Sequence, residues 1–240
     1  MTEAAVCPIC NGTGWKIVER AGLSGAERCS CYGVARAQAL RESASIPPNY
    51  EVATLESFST VHDSASAAWR QVKGFVREFP AKDRPGLLLT GGTGVGKTHL
   101  AIGAMKVLLE RGHECVFFDY QNLIERIRSS WDSTAGTADR EAYRSALEIE
   151  VLVLDDLGSI RPIDWVMDIV TSIVTSRYNS RRALIATTNL PDHDLVGQDK
   201  NYAAKTLSEV IGIRARSRLH EMCRIVDMSG IQDYRLKPAR

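Results

Sequence analysis

The stretch GGTGVGKTHL, residues 91–100, holds the most specific chemistry in the sequence. It fits the pattern G-x-x-x-x-G-K-[ST], with a short apolar segment before it and an apolar helical pattern after it. Glycines let backbone N–H groups curl around phosphate oxygens at the positive end of the following helix. We therefore predict that Lys97 binds the β- and γ-phosphates of a nucleotide and that Thr98 coordinates Mg²⁺. The predicted nucleotide-binding residues are consecutive: Gly91, Gly92, Thr93, Gly94, Val95, Gly96, Lys97, Thr98 and His99.

Two acidic residues end a second apolar segment, VLVLDD, residues 151–156. A buried strand of this kind would deliver carboxylates to the phosphate edge of a parallel sheet. We predict that Asp155 holds Mg²⁺ through water and that Asp156 polarises the attacking water. Because Asp is one methylene shorter than the Glu that many ATPases place here, we expect slow or partner-dependent hydrolysis. The alternative is that the acidic pair only caps a helix.

A third apolar segment, ALIATTN at residues 183–189, also ends in polar residues. Its place one strand after the acidic pair predicts that Thr188 and Asn189 orient water between the γ-phosphate and Asp156. The alternative is that this Thr-Asn pair only forms a turn.

Two arginines four residues apart, Arg214 and Arg218, lie in IGIRARSRLHEM, residues 211–222. A helix over this stretch would place both on one face. Because Lys97 and Mg²⁺ would already neutralise the chain's own nucleotide, we predict that these arginines reach the γ-phosphate of a neighbouring copy. The alternative is a surface helix whose arginines pair with glutamates. Arg235 is a candidate for contact with the chain's own nucleotide.

Four cysteines near the N-terminus form the pairs Cys7-x-x-Cys10 and Cys29-x-Cys31. Four thiolates favour tetrahedral Zn²⁺, and we predict a structural zinc site. A redox C-x-x-C motif is the main alternative, but such a motif normally begins a helix, and Asn-Gly-Thr-Gly does not favour one. The two remaining cysteines lie in apolar segments and are predicted to be buried.

The composition is that of a globular protein, with 44% hydrophobic and 25% charged residues among 240. No stretch approaches the ~20 apolar residues of a membrane span, and the N-terminus lacks the features of a signal peptide. We therefore expect a cytoplasmic protein without a membrane partner. From Arg177 onward there are twelve Lys and Arg residues and seven Asp and Glu residues, an excess that is typical of phosphate or nucleic-acid contact. The alternative is an ordinary solvated surface.

Strands and helices must alternate to bring these residues together. Continuous apolar strands separated by helices predict a parallel sheet covered on both faces. The predicted strands are residues 86–90, 115–119, 151–156, 183–189 and 223–228. Predicted helices include residues 98–110 and a following one that carries Leu123, Ile124, Ile127 and Trp131 on one stripe. The two prolines at 47 and 48 divide the chain into a zinc-binding module with a linker helix, residues 1–45, and a nucleotide-binding domain, residues 46–240.

These motifs resemble the helicase-loader branch of the AAA+ ATPases, the DnaC/DnaI-type replication proteins, and their relative, the transposition helper ATPase IstB. The likeness covers about residues 46–240: GGTGVGKTHLA and VLVLDDLG match the Walker A and B motifs, and ATTNL matches sensor 1. The resemblance implies an α/β P-loop fold with an AAA+ core and no separate C-terminal lid domain, preceded here by the small zinc module. It also implies ATP as the nucleotide.

By the same resemblance, Arg214 and Arg218 fall in the arginine-finger segment and Arg235 falls at sensor 2. The helix ending in RSSW, residues 128–131, corresponds to the part of loaders and initiators that faces single-stranded DNA. Arg128 would then offer a charge and Trp131 a stacking face. The alternative for Trp131 is a place in the core.

The expected function is ATP-dependent loading of a replicative helicase onto single-stranded DNA by an oligomer of this chain. The N-terminal module would dock the helicase, because the extension that grips the helicase in loaders occupies the same place. The alternatives are an IstB-like helper of a transposase, a P-loop kinase of a small molecule, and a zinc-stabilised adaptor whose nucleotide site is only structural.

Overall fold

The computed structural model describes residues 7–11, 13, 15–20, 23–131, 137–192 and 205–236. Within these ranges the strands are β1 (Trp15–Arg20), β2 (Leu23–Arg28), β3 (Gly86–Thr90), β4 (Cys115–Asp119), β5 (Val151–Asp155), β6 (Ala183–Thr188) and β7 (Cys223–Asp227). The α-helices are α1 (Ser30–Ser43), α2 (Asp63–Glu78), α3 (Lys97–Glu110), α4 (Tyr120–Ser129), α5 (Thr137–Glu148), α6 (Asp164–Asn179), α7 (Leu207–Ile211) and α8 (Ile213–Met222). Short 3₁₀ turns cover Pro48–Tyr50 and Tyr234–Leu236.

The central sheet has five strands in the order β4-β5-β6-β3-β7, and every neighbouring pair is parallel. This order confirms the predicted parallel sheet. Parallel strands run in one direction, so the carboxyl ends of β3, β5 and β6 meet at the same edge. The loops that follow these three strands carry the predicted phosphate, acidic and Asn residues.

Alternating side chains divide the core into two layers, because successive residues of a strand point to opposite faces. Leu87 and Leu89 of β3 pack on the side of α2 and α3, whereas Leu88 packs on the side of α4 to α8. Both faces of the sheet are therefore covered by helices, as the unbroken apolar strands predicted. No helix in the described ranges is long and apolar enough to cross a bilayer.

The structure differs from the sequence predictions at several helices. The helix after β4 ends at Ser129, so Trp131 does not share its buried stripe and is 61% exposed. The helix predicted over residues 211–222 is interrupted at Gly212, whose positive φ of 84° separates α7 from α8. The β1–β2 hairpin and α5 were not predicted, and the linker helix of the N-terminal module is α1, Ser30–Ser43.

A buried arginine of α6, Arg177, contacts the end of the sheet where the strands begin, remote from the predicted phosphate loop. The side chain of Arg177 is 0% exposed, and burial lowers its pKa to about 9. Its guanidinium donates to the carbonyl oxygens of Ala146 (3.0 Å), Ile149 (3.0 Å), Glu150 (3.1 Å) and Ala183. The side chain of Arg177 therefore provides hydrogen-bond donors to backbone carbonyl groups near the end of α5 and at the beginnings of β5 and β6.

We expect Arg177→Met to lower the free energy of unfolding by about 3 kcal/mol, because buried carbonyl groups lose their donors while the apolar stem is kept. Urea denaturation followed by circular dichroism measures the change. The exposed Arg70 on α2 supplies a matched control, and Arg70→Met should change the stability little. Equal stability of the two variants would contradict the role given to Arg177.

Candidate nucleotide site and cysteine cluster

The loop between β3 and α3 has positive φ angles at Gly91, Gly94 and Gly96, a backbone conformation that favours glycine. Gly94 and Gly96 have positive φ angles of 74° and 91°. A Cβ atom on Gly94 would lie 1.7 Å from the Asp233 carboxylate, and one on Gly96 would lie 2.7 Å from the ring of Phe58. The loop thus turns into the N-terminus of α3 with neighbours packed closely against it, a geometry that favours anion binding.

Lys97, the first residue of α3, reaches back over this loop. Its ammonium donates to the carbonyl oxygens of Gly91 (3.0 Å) and Gly92 (2.6 Å) and to Asn189 Oδ1 (2.6 Å). The residue is 7% exposed, and burial lowers the pKa of its ammonium. These acceptors hold a positive charge at the mouth of the loop, where phosphate oxygens could replace them.

Asp155 at the end of β5 is held by two hydroxyl groups. Thr98 Oγ1 donates to its two carboxylate oxygens at 2.9 and 3.1 Å, and Thr187 Oγ1 donates to Oδ1 at 2.7 Å. Burial raises the pKa of Asp155, although these hydrogen bonds oppose the rise. A hydroxyl group beside a buried carboxylate is a donor set that fits Mg²⁺, which prefers oxygen ligands and retains several waters.

Asp156 is linked to Asn189 across the strand ends. Asn189 Nδ2 donates to Asp156 Oδ1 at 2.6 Å, while its Oδ1 accepts from Lys97. Asp156 has a positive φ of 57°, and its backbone N–H donates to Thr187 Oγ1 at 2.9 Å. The amide of Asn189 therefore connects the predicted phosphate-binding ammonium to the predicted water-polarising acid.

These side chains line one cavity of about 320 Å³. The lining includes predicted residues, namely Thr93, Gly94, Gly96, Lys97, Thr98, His99, Asp155, Asp156, Asn189 and Arg235, together with Tyr50, Asp119 and Thr187. His99 Nε2 also lies 2.8 Å from the carbonyl oxygen of Thr54 and 3.0 Å from Ser57 Oγ. Val95 is 2% exposed and packs in the core beneath the loop. The sheet edge thus gathers phosphate-binding and acidic groups into one site.

Thr187, rather than Thr188, is the threonine of β6 that lies in the site. Thr188 is 0% exposed and donates to the carbonyl oxygen of Leu157 at 2.8 Å, away from the cavity. Strand alternation explains the difference, because Thr187 shares a face with Ile185 on the α3 side of the sheet. Asp119, in register with Asp155 on the neighbouring strand, also lines the cavity and was not predicted to do so. An acidic residue between a strand and a helix is typical of a helix N-cap, and Asp119 caps α4.

The two arginines predicted to act in trans lie on α8, outside the lining of this cavity. Arg214 is exposed. The guanidinium of Arg218 lies 5.9 Å from the ring centre of Tyr178, whose hydroxyl donates to Glu221 at 2.7 Å. The two arginines are therefore not among the described residues that line the cavity with Lys97 and Arg235.

The four N-terminal cysteines converge as predicted from their spacing. Their sulfur atoms all lie within 4.8 Å of one another, with Cys7–Cys29 at 3.9 Å and Cys10–Cys31 at 3.3 Å. Tetrahedral Zn²⁺ with Zn–S bonds of ~2.3 Å needs sulfur atoms ~3.8 Å apart. The donor set therefore fits zinc, and the β1–β2 hairpin spans the gap between the two cysteine pairs.

An aromatic pair lies at the surface where α4 ends and α6 begins. The ring of Trp131 contacts that of Trp165 edge to face, with centres 5.5 Å apart. Arg128, one turn before Trp131, is also exposed. The sequence did not predict that Trp165 belongs to this surface, because an apolar residue next to the apolar stripe of α6 is typical of the core.

The fold and the site together define a P-loop nucleotide-binding protein with an AAA+ core. The pattern of the family described as "IstB-like ATP binding protein" matches residues 34–240. The chain belongs to this family of ATP-binding proteins. The match begins within α1, which packs on α3.

Comparison with individual proteins confirms the resemblance to DnaC/DnaI-type helicase loaders. A crystal structure of the DnaC helicase loader superposes with a TM-score of 0.65 at 30% identity, covering 78% of this chain and 100% of that chain. Protein YqaM of Bacillus subtilis is 25% identical over 210 residues, which are 82% of this chain and 61% of YqaM. The replicative helicase loader DnaC of Escherichia coli K12 is 22% identical over 144 residues, 60% of this chain and 58% of that protein. The chain spans about three fifths of the length of these two curated relatives.

We expect Thr187→Val to raise the Mg²⁺ concentration needed for ATP binding about fivefold, because Asp155 loses one hydrogen-bond donor that contributes ~1 kcal/mol. The pKa of Asp155, already raised by burial, should rise further. Titration of Mg²⁺ against a fluorescent ATP analogue measures the effect. The exposed Thr60 supplies the control Thr60→Val. An unchanged Mg²⁺ requirement in Thr187→Val would show that Thr187 does not support the metal ligand.

Proposed function

We propose that this protein hydrolyses ATP to load a replicative helicase onto single-stranded DNA, acting as an oligomer. One observation carries the proposal: the glycine-rich phosphate motif lines a cavity with acidic groups, while Arg214 and Arg218, on α8, are not part of that lining. Arginines outside their own cavity are available to a neighbouring copy, where they would neutralise charge that develops during phosphoryl transfer. The family match and the likeness to a DnaC helicase loader support the same conclusion.

Within one chain, the site residues have separate tasks in hydrolysis. Lys97 would leave its carbonyl and amide acceptors for the β- and γ-phosphates, while Thr98 and Asp155 would hold Mg²⁺, which supplies charge neutralisation when bound. Asp156, oriented by Asn189 at 2.6 Å, would accept a proton from the attacking water. The short Asp156 side chain explains why turnover would be slow until a partner adjusts the site.

We expect Arg218→Ala to bind ATP normally and to lose single-stranded-DNA-stimulated hydrolysis by about 100-fold or more, because an arginine finger is worth 10³–10⁵ in rate. Phosphate release with and without an oligonucleotide measures this effect. Arg144, exposed on α5, gives the control Arg144→Ala. If stimulated turnover were unchanged in Arg218→Ala, this arginine would not be a finger. Absence of any stimulation in the unmodified protein would favour the adaptor alternative.

The surface formed by Arg128, Trp131 and Trp165 is the proposed contact for single-stranded DNA. Trp131 is 61% exposed, although large aromatic side chains are usually mostly buried. An exposed indole ring stacks on bases of any sequence, and the neighbouring arginine attracts phosphate. Edge-to-face contact with Trp165 holds the Trp131 ring in one orientation.

We expect Trp131→Ala to weaken binding of a labelled oligo-dT about tenfold, since one stacked base contributes ~1–3 kcal/mol. Trp131→Phe should retain most of the affinity. Fluorescence anisotropy measures both variants. Trp15, 48% exposed on β1, gives the matched control Trp15→Ala. Equal affinities for Trp131→Ala and the control would place the DNA elsewhere.

The cysteine cluster is proposed to dock the helicase. A module of roughly forty residues cannot bury enough apolar surface to fold alone, so zinc would supply the missing free energy. Ile9 and Ile17, near the cluster, are 63% and 82% exposed and are available to a protein partner. The predicted boundary between the zinc-binding module with its linker helix, residues 1–45, and the nucleotide-binding domain, residues 46–240, is part of this proposal.

We expect Cys10→Ser to lose the ~1 zinc per chain of the unmodified protein, because Zn²⁺ would keep only three thiolate ligands. The variant should also fail to retain a replicative helicase in a pull-down while ATP binding persists. Elemental analysis and the pull-down measure the two effects. Cys115 supplies the control Cys115→Ser, since this thiol is buried in β4 with a pKa of about 12 raised by burial. Full helicase retention by zinc-free Cys10→Ser would refute docking through the cluster.

A second candidate is an IstB-like helper ATPase that serves a transposase, and the family description favours it. The nucleotide site would work in the same way, but the partner would differ. A pull-down with purified helicase and purified transposase in parallel distinguishes the two functions.

A further inference from the structure

Asp192 is a buried carboxylate that contacts two basic side chains of α8. It is 4% exposed. Arg216 Nε lies 2.8 and 3.0 Å from its two oxygens, and a second guanidinium nitrogen lies 2.6 Å from Oδ1. His220 Nε2 lies 2.6 Å from Oδ2. Such a fork of a guanidinium on a carboxylate fixes orientation as well as distance.

The contacts to Asp192 use the face of α8 opposite to the arginines predicted to act in trans. Arg216 and His220 are four residues apart and therefore lie on one face. Arg214 and Arg218 are each two residues from Arg216, about 200° around a helix of 3.6 residues per turn. Holding the Arg216–His220 face at Asp192 thus sets the direction in which the Arg214–Arg218 face presents its guanidinium groups.

Asp192 is also tied to the nucleotide site by a short loop. Only two residues, Leu190 and Pro191, separate it from Asn189, whose amide contacts Lys97 and Asp156. Three peptide units span at most about 11 Å, so the two ends of the loop cannot move far apart. The loop is itself anchored: the Leu190 N–H donates to Thr188 Oγ1 at 3.1 Å, and the carbonyl oxygen of Pro191 accepts from the Leu207 N–H at 3.0 Å.

The charge on Asp192 is favoured by its partners. Burial opposes ionisation, but the hydrogen bonds from Arg216 and His220 outweigh it and lower the pKa of the carboxyl group. Removing either the carboxylate or its basic partners from such a buried ion pair leaves an uncompensated charge and lowers the stability of the fold.

We propose that Asp192 is a positioning residue for the arginines of α8. It acts through Arg216 and His220, and it holds Arg214 and Arg218 in a fixed orientation relative to the loop that contacts the chain's own nucleotide site. The proposal rests on the trans role of these arginines given under Proposed function. It adds a connection by which the nucleotide site of one copy influences the orientation of Arg214 and Arg218, which that copy offers to the nucleotide of a neighbouring copy.

Mixing two variants tests the proposal. Asp192→Asn keeps one carbonyl acceptor for Arg216, so the variant should fold and bind ATP with unchanged affinity while its DNA-stimulated turnover falls about tenfold or more. Thr98→Val loses the hydroxyl group that would hold Mg²⁺ and cannot hydrolyse ATP, but it keeps Lys97, Asn189 and α8. Adding Thr98→Val to Asp192→Asn should raise the turnover at least about fivefold, because intact nucleotide sites then meet correctly held arginines. A residue that merely stabilised the fold would not be rescued by mixing.

Asp168, exposed on α6, supplies the control Asp168→Asn, which should match the unmodified protein. Weakened ATP binding in Asp192→Asn, full turnover without mixing, or no rescue by mixing would overturn the proposal. Should Asp192→Asn not fold, Arg216→Lys, which keeps the charge and loses the fork, must show the same rescuable loss, and unchanged turnover there overturns the proposal equally. A mixture of Arg218→Ala with Thr98→Val that fails to recover turnover would instead overturn the trans arrangement itself.

Discussion

The parallel register of β3, β5 and β6 is the constraint on which the rest of the site depends. Because these strands run together, their carboxyl ends place Lys97, Asp155 and Asn189 at one edge. The hydrogen bonds there join the first residues of α3 to Asp155 at the end of β5 and to Asn189 just after β6. A shift of one residue in either strand pairing would turn the polar side chains away from the cavity and toward the core. The site is therefore a direct consequence of sheet packing rather than of any one loop.

Much of this arrangement could be predicted, because the strongest signals are local. Five unbroken apolar segments with intervening helical patterns give the parallel sheet, and the glycine-rich motif gives the phosphate loop. Residues whose roles depend on three-dimensional neighbours were harder to predict. Thr187 and Thr188 differ only in which face of β6 they occupy, and that face is decided by packing against α3.

Other differences arise where local propensity is weak. The end of α4 depends on tertiary contacts, so the apolar spacing wrongly extended the helix to Trp131. Asp192 carries no motif at all: its importance follows from a contact with Arg216, twenty-four residues later. None of the described side chains of the β1–β2 hairpin is buried, and the convergence of the cysteines that flank it explains why it folds there.

Lys97 and Asp155 line the candidate nucleotide site, whereas Arg214 and Arg218 lie on α8 outside that lining. The proposed trans role of these arginines requires copies of the chain to associate. The most direct measurement is the mass of the protein saturated with ATP, single-stranded DNA and a replicative helicase, the proposed partner, by sedimentation velocity or mass photometry. We predict complexes that hold more than one copy of this chain, and a strictly single copy under these conditions would contradict the account.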